Sequence, residues 1–180
     1  MKNNLKSAPG FTLTGSTRWD SSWPQLAEEA ERHRILSYLE DRFGMPKGLF
    51  KDYLLFKRKD SWYLMRKPFQ EMPASHLKIS KVGLKAFNRI GDFIKPTTRM
   101  MQIFGSAATK ARIEIDEKQL GALLSGEELA SETDMEKGYV ILTIKGNRVL
   151  GLGFLINGRV RSQLPRKEVR EAMVNLEAVK

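Results

Sequence analysis

The spacing of apolar residues shifts between helical and strand-like along this chain, and each shift marks a new kind of element. Ile35, Leu36, Leu39 and Phe43 recur at helical spacing inside "ERHRILSYLEDRF". That helix is expected to begin near Ser22, with Pro24 in its first turn and Glu28, Glu29 and Glu31 toward its positive end, and to stop at Gly44. "MPKGLFKDY" reads as a short second helical turn that carries Leu49 and Phe50 into the core. "YLLFKRKDSWYLMRK" has strand composition on both sides of the polar tip Arg58-Lys59-Asp60-Ser61, which predicts a β-hairpin. Residues 78–90 fit strand or helix. "GDFIKPTTRMMQIFG" is extended at least at its start, because Lys95 precedes a proline and is driven toward β geometry.

The second half is plainer. "ARIEI" is a strand that ends at Asp116, a residue suited to cap the helix "EKQLGALLSG", which Gly126 closes. "EELASETDMEK" reads as an acidic loop. Three β-segments follow, "GYVILTI", "RVLGLGFLI" and "RVRSQL", joined by Lys145-Gly146-Asn147 and by Asn157-Gly158; the second joint is a strong hairpin signal. So many strands after residue 111 imply a small closed or nearly closed barrel, which covers strand edges. An α+β first half should meet this barrel near residues 91–110. Residues 1–22, rich in Ser, Thr, Gly and Asn and without period, read as a flexible arm or a loosely docked extension.

Charge adds direction to this outline. The formal net charge is +10, with +10 on residues 51–112, −6 on residues 113–144 and +5 on residues 145–180. Two basic blocks around an acidic one point to a polyanionic partner, RNA or DNA; the plain alternative is a lysine-rich solubilising surface. The chain has no cysteine, and His33 and His76 are its only imidazoles, which argues against thiolate chemistry and against a zinc site. Neither an apolar run of membrane-spanning length nor a signal-peptide core is visible, so a cytoplasmic protein without membrane contact is expected. The carboxylates fall on helix faces and in the acidic loop, and no Ser, His and Asp grouping stands out; catalysis and cofactors are not expected.

One stretch, "GLGFLINGRVRSQLPR", contains glycines that suggest a phosphate loop and arginines that suggest an anion-gripping surface. The loop reading fails on context, because phosphate loops lead into a helix N-terminus and this one leads into a hairpin. Gly151 and Gly153 leave one strand face bare, for close packing or for ligand access. Arg159 and Arg161, two apart, share the opposite parity to Val160, and Gln163 continues their row while Leu164 falls on the buried side. Core contacts are expected from Phe154, Ile156, Val160 and Leu164. Such a row suits a folded RNA backbone, since arginine forks onto phosphate and stacks on bases; it is also what a solvated edge strand looks like.

"GYVILTIKGNRVLGLGFLINGRVRSQLPR" resembles the end of a PUA-like RNA-binding domain. More narrowly, it is similar to the C-terminal domain of Sun/Fmu-type rRNA 5-methylcytosine methyltransferases, a group that includes stand-alone ribosome-biogenesis factors. "ILSYLEDRFGMPKGLFKDYLLFKRKDSWYL" and "GDFIKPTTRMMQIFG" resemble the segment preceding that domain, so the likeness spans roughly residues 30–166. It implies an α+β chain with an N-terminal mixed α/β pre-PUA domain at residues 23–94 and a PUA-like pseudo-barrel at 95–180, after an arm at 1–22. Those enzymes carry a Rossmann-like catalytic domain with attacking cysteines, for which this chain is too short and lacks the thiols. The resemblance therefore implies RNA binding in rRNA maturation without methyl transfer. The partners expected are structured rRNA or its precursors, together with ribosome-assembly or rRNA-modifying proteins. A protein adaptor docking through acidic residues 127–136 is the second reading.

The residues expected to contact RNA are Lys95, Thr97, Arg99, Lys110, Lys145, Arg148, Arg159, Arg161, Gln163, Arg166 and Lys167. A secondary basic patch is expected at Lys57, Arg58, Lys59, Arg66 and Lys67.

Overall fold

The computed structural model describes residues 24–67, 83–145 and 147–165. The proposed arm at residues 1–22, residues 78–82, Gly146, Arg166 and Lys167 lie outside them. The first half contains β1 (Gln25–Leu26), α1 (Glu29–Phe43), a 3₁₀ turn at Lys47–Phe50, β2 (Tyr53–Arg58), β3 (Ser61–Arg66), β4 (Leu84–Ile90) and β5 (Phe93–Pro96). Then come α2 (Thr98–Phe104), a 3₁₀ turn at Gly105–Ala107, β6 (Arg112–Glu114), α3 (Glu117–Ser125), β7 (Leu129–Ala130), β8 (Gly138–Ile144), β9 (Arg148–Ile156) and β10 (Arg159–Ser162). The strands form two five-stranded sheets, β1-β2-β3-β4-β5 and β6-β8-β9-β10-β7, and the second curls into a half-barrel. The architecture is α+β, as the sequence implied.

Helix α1 begins at Glu29, later than expected from the sequence. Gln25 and Leu26 pair with Lys57 and Phe56 of β2, and the Ala27 amide donates to Leu55 O at 2.8 Å. Sheet pairing thus claims the residues around Pro24 and keeps them extended until Glu28, whose backbone is still in the β region. The apolar stripe is as read: Ile35, Leu36, Leu39 and Phe43 are buried, and Gly44 ends the helix in the left-handed conformation. A side chain at Gly44 would be blocked twice, since a Cβ there would stand 2.1 Å from Thr109 Oγ1. This close approach is the seam between the halves, where Phe43 O accepts from the amides of Thr109 and Lys110 at 3.0 Å each.

The hairpin β2–β3 turns through Lys59-Asp60, and β4 joins it with a bulge at Trp62/Tyr63. Thr97 lies beside that irregularity: its amide donates to Ala86 O and its hydroxyl to Lys85 O, both at 2.8 Å. Its hydroxyl also accepts from the Met100 amide and so caps α2. Asp116 and Gln119 form a reciprocal capping box on α3, which stops at the left-handed Gly126. The acidic loop is not wholly irregular, because Leu129 and Ala130 add to the edge of β10 as β7.

Strand β9 is covered on both faces. One face carries Gly153 opposite Val160, Leu142 and Val140, where a Cβ on the glycine would come within 2.8–3.2 Å of each. At Gly151 a Cβ would lie 2.7 Å from both Leu164 Cδ2 and Thr98 Cγ2, so the bare glycine admits the start of α2 rather than a ligand. Val160 and Leu164 are buried as expected, but Phe154 and Ile156 are only half-buried, and Leu152 and Leu155 take the core positions. The alternation expected along β9 does not predict this, because a strand sandwiched on both sides buries residues of either parity. One apolar core runs through both halves, from Leu39, Phe50, Trp62 and Phe87 through Met100 and Met101 to Ile141, Leu142 and Leu155.

Candidate nucleic-acid interface

Strand β10 presents the basic row in the expected sense. Arg159 and Arg161 are exposed on either side of buried Val160. They differ in availability: Arg161 Nε donates to Glu128 Oε1 at 2.5 Å, whereas Arg159 has no ion pair among the described residues. Gln163 is drawn to the first sheet, its Oε1 accepting from Lys95 Nζ at 2.5 Å. The Lys95 ammonium also stands 5.7 Å from the centre of the Tyr139 ring, and burial holds its pKa below the ordinary lysine value. Lys95 and Gln163, far apart in sequence, therefore form one polar joint.

The other expected contacts do not converge on β10. Lys145 and Arg148 are exposed at the β8–β9 turn, and Arg159 pairs with Ile156 at the far end of β9. At about 3.3 Å per residue the two ends are roughly 25 Å apart. Thr97 has its hydroxyl engaged in the α2 cap, and Arg99 is exposed on that helix. Lys110 lies by the end of α1, beside Gly44. The secondary patch is also divided. Lys57 is taken by Glu31 at 2.7 Å, Arg58 is half-buried, Lys59 is exposed in the turn, and Arg66 and Lys67 are exposed at the hairpin's other end.

Glu31 is the electrostatic centre of the first sheet. Burial pushes its carboxyl up, but the hydrogen bond from Lys57 and the charges of Lys57 and Arg34 outweigh it, holding the pKa below the ordinary glutamate value. Arg89 approaches Glu31 at 3.9 Å, and both Arg89 and Lys57 lie over the Trp62 ring.

A feature absent from the expected set is a cleft of about 750 Å³ where α1, the β4–β5 turn and the outer face of β8–β9 meet. On the sheet side of it, the cross-strand partners Tyr139 and Phe154 pack edge to face, 5.1 Å between centres. Arg42 Nε donates to Tyr139 O at 2.8 Å and fixes α1 against β8. Tyr38 of α1 and Tyr139 both line the cleft, and burial raises the pKa of both phenols, that of Tyr38 to about 12. The residues come from elements far apart in sequence, so no local motif announced the site; the one local cue was apolar Ile90 and Phe93 on either side of the tight turn Gly91-Asp92.

Residues 110–170 match the family described as the methyltransferase RsmF PUA domain. Over most of its length the chain is similar to proteins named ribosomal RNA small subunit methyltransferase F. It is 28% identical to that of Aeromonas salmonicida over 149 residues, covering 82% of this chain and 29% of the relative. It is 24% identical to that of Psychromonas ingrahamii over 175 residues, covering 93% of this chain and 35% of the relative. The chain thus spans about a third of the length of these curated relatives. Among solved structures, a conserved PUA domain protein from Thermoplasma acidophilum aligns over 83% of this chain and 85% of its own, with a TM-score of 0.48 and 11% identity.

Proposed function

We propose that this chain binds structured RNA, rRNA or its precursors, during ribosome biogenesis or rRNA modification, and that it does so without itself catalysing methyl transfer. The observation that carries the reading is the match of residues 110–170 to the RsmF PUA domain. A net charge of +10 and exposed Arg159, Lys145 and Arg148 on the same sheet support it. Because these cations are spread over the half-barrel, the RNA contacted would span both ends of β9, as a folded backbone can. Double-helical RNA is read largely through its phosphates, 2′-hydroxyls and shape, which suits such a surface.

The test is titration of a small-subunit rRNA transcript with the protein at increasing salt. Each neutralised phosphate should lower log affinity by roughly 0.7–0.9 per log unit of salt. A flat dependence would remove the electrostatic face. Replacing Arg159 and Arg161 by alanine should reduce affinity by about 1–3 kcal/mol, the scale of charge-assisted contacts. Methyl transfer to rRNA by the purified chain supplied with a methyl donor would restore a catalytic role. An adaptor role is the second reading, favoured by exposed Glu127, Glu132, Asp134 and Glu136; partners retained in a pull-down after nuclease treatment would support it.

A further inference from the structure

The cleft beside α1 combines two chemistries that the basic strand lacks together. Tyr139, Phe154 and Ile156 line one side of it, and the β4–β5 turn forms the other. That turn holds Ile90 and Phe93 in solvent, 49% and 74% exposed. Burial would stabilise a phenyl group by roughly 1.5–3 kcal/mol, so an exposed ring at the rim of an apolar recess is a ready contact surface. Three cations, Arg34, Arg42 and Lys137, border the cleft against one carboxylate, Asp92. The Nη2 of Arg42 is buried and has no acceptor among the described residues, although its Nε is fixed by Tyr139 O.

Protein–protein interface cores are depleted of charge, and lysine is rare there. Aromatic faces ringed by cations suit single-stranded nucleic acid, where bases stack on the rings and the cations follow the phosphates. The volume, about 750 Å³, falls within the roughly 300–1,000 Å³ of pockets that bury a drug-sized ligand, room enough for a nucleobase.

We propose that this cleft takes an unpaired base of a bound RNA strand, with Phe93 as the stacking ring and Arg34, Arg42 and Lys137 as the phosphate contacts. The inference rests on the RNA-binding reading above and adds a site separate from the β10 row. Stacking tolerates any base, so the cleft selects for single-stranded character rather than for sequence. Its place on the seam between the two sheets would let one RNA lie across the half-barrel while an adjoining loop enters the cleft.

The experiment uses the full chain and a 12-nucleotide oligouridylate carrying 4-thiouridine, alongside an abasic strand of equal length and charge. The protein should bind the oligouridylate more tightly than the abasic strand, and photocrosslinks should map to Phe93, Tyr139 or Phe154. Phe93→Ala should weaken oligouridylate binding roughly five- to 150-fold, the effect of losing one stacked base. Phe93→Tyr should restore it, and the abasic strand should respond to neither change. Because Phe93 is mostly exposed, the melting temperature should not move. Equal binding of both strands, crosslinks confined to β10, or unchanged binding by Phe93→Ala would overturn base capture while leaving RNA binding intact. Binding of neither these strands nor the rRNA transcript would overturn both. Loss of a protein partner from a nuclease-treated pull-down on Phe93→Ala, with oligouridylate binding retained, would make the cleft a protein site instead.

Discussion

The two five-stranded sheets of this molecule are equal in size and unlike in almost everything else. The first follows chain order, each strand antiparallel to the one before it. The second sets β6 parallel to β8 and sends β7 to the far edge beside β10. Their charges are handled differently too. In the first sheet Lys57 and Arg89 converge on Glu31 and the Trp62 ring, so part of its basicity is consumed internally. In the second, Arg161 is held by Glu128, while Arg159 is exposed with no ion pair among the described residues. The lesson is that net charge does not measure availability: the more basic sequence block contains cations already engaged within the fold.

The strongest challenge to this contrast is Val160→Asp. It places a carboxylate in the apolar core, where Val160 is buried, and should destabilise the protein by about 4 kcal/mol or more, measured by urea unfolding. Since one apolar core crosses both sheets, the loss should appear in a single transition. Two separated transitions would show that the sheets fold independently.

A glycine pair sharpens it further. Gly151→Ala in the second sheet would push a methyl group to 2.7 Å from Thr98 and Leu164 on a backbone already at φ +154°, so crowding and strain add, at a cost of roughly 1–3 kcal/mol. Gly91→Ala in the first meets nothing within 4 Å, so only its left-handed backbone, φ +59°, opposes it, by about 1 kcal/mol. A larger penalty at Gly91 than at Gly151, read from thermal denaturation, would contradict the packing account.

Smaller still is the acid response of the first sheet. The pKa of Glu31 is lower folded than unfolded, so its contribution is present above about 4.5 and is lost as pH falls through the folded value. Glu31→Gln should flatten the loss of unfolding free energy below that pH, by less than about 1 kcal/mol because Lys57 is partly exposed. An unchanged acid limb would mean that the Glu31 cluster adds nothing measurable. Least of all, Arg159→Ala should change folding stability by no more than about 0.5 kcal/mol. A larger loss in chemical denaturation would show that the open row of the second sheet is structural after all.

Much of the fold was legible because its signals are local. Asn157-Gly158 adopts positive φ at both residues, 51° and 68°, as the hairpin turn demands. Asp116 caps its helix through residues only three positions away. The error at α1 arose where locality failed: the acidic first turn and Pro24 favour a helix, but pairing with β2, some thirty residues on, outweighs them. Phe154 and Ile156 were misassigned to the core for a related reason, since alternation distinguishes the two faces of a strand but not how deeply each is covered.

The sequence by itself determined the element types, most of their ends, the α+β class and the direction of the charge, because capping, turn chemistry and periodicity act within a few residues. Only the tertiary structure decided which cations are engaged, through Glu31 and Glu128, and which are spread along opposite ends of β9. Tertiary structure alone also brought Arg42, Phe93, Tyr139 and Phe154 to one cleft. Salt bridges and clefts join residues that the chain separates by dozens of positions, and no short-range preference records which distant partner a side chain will meet.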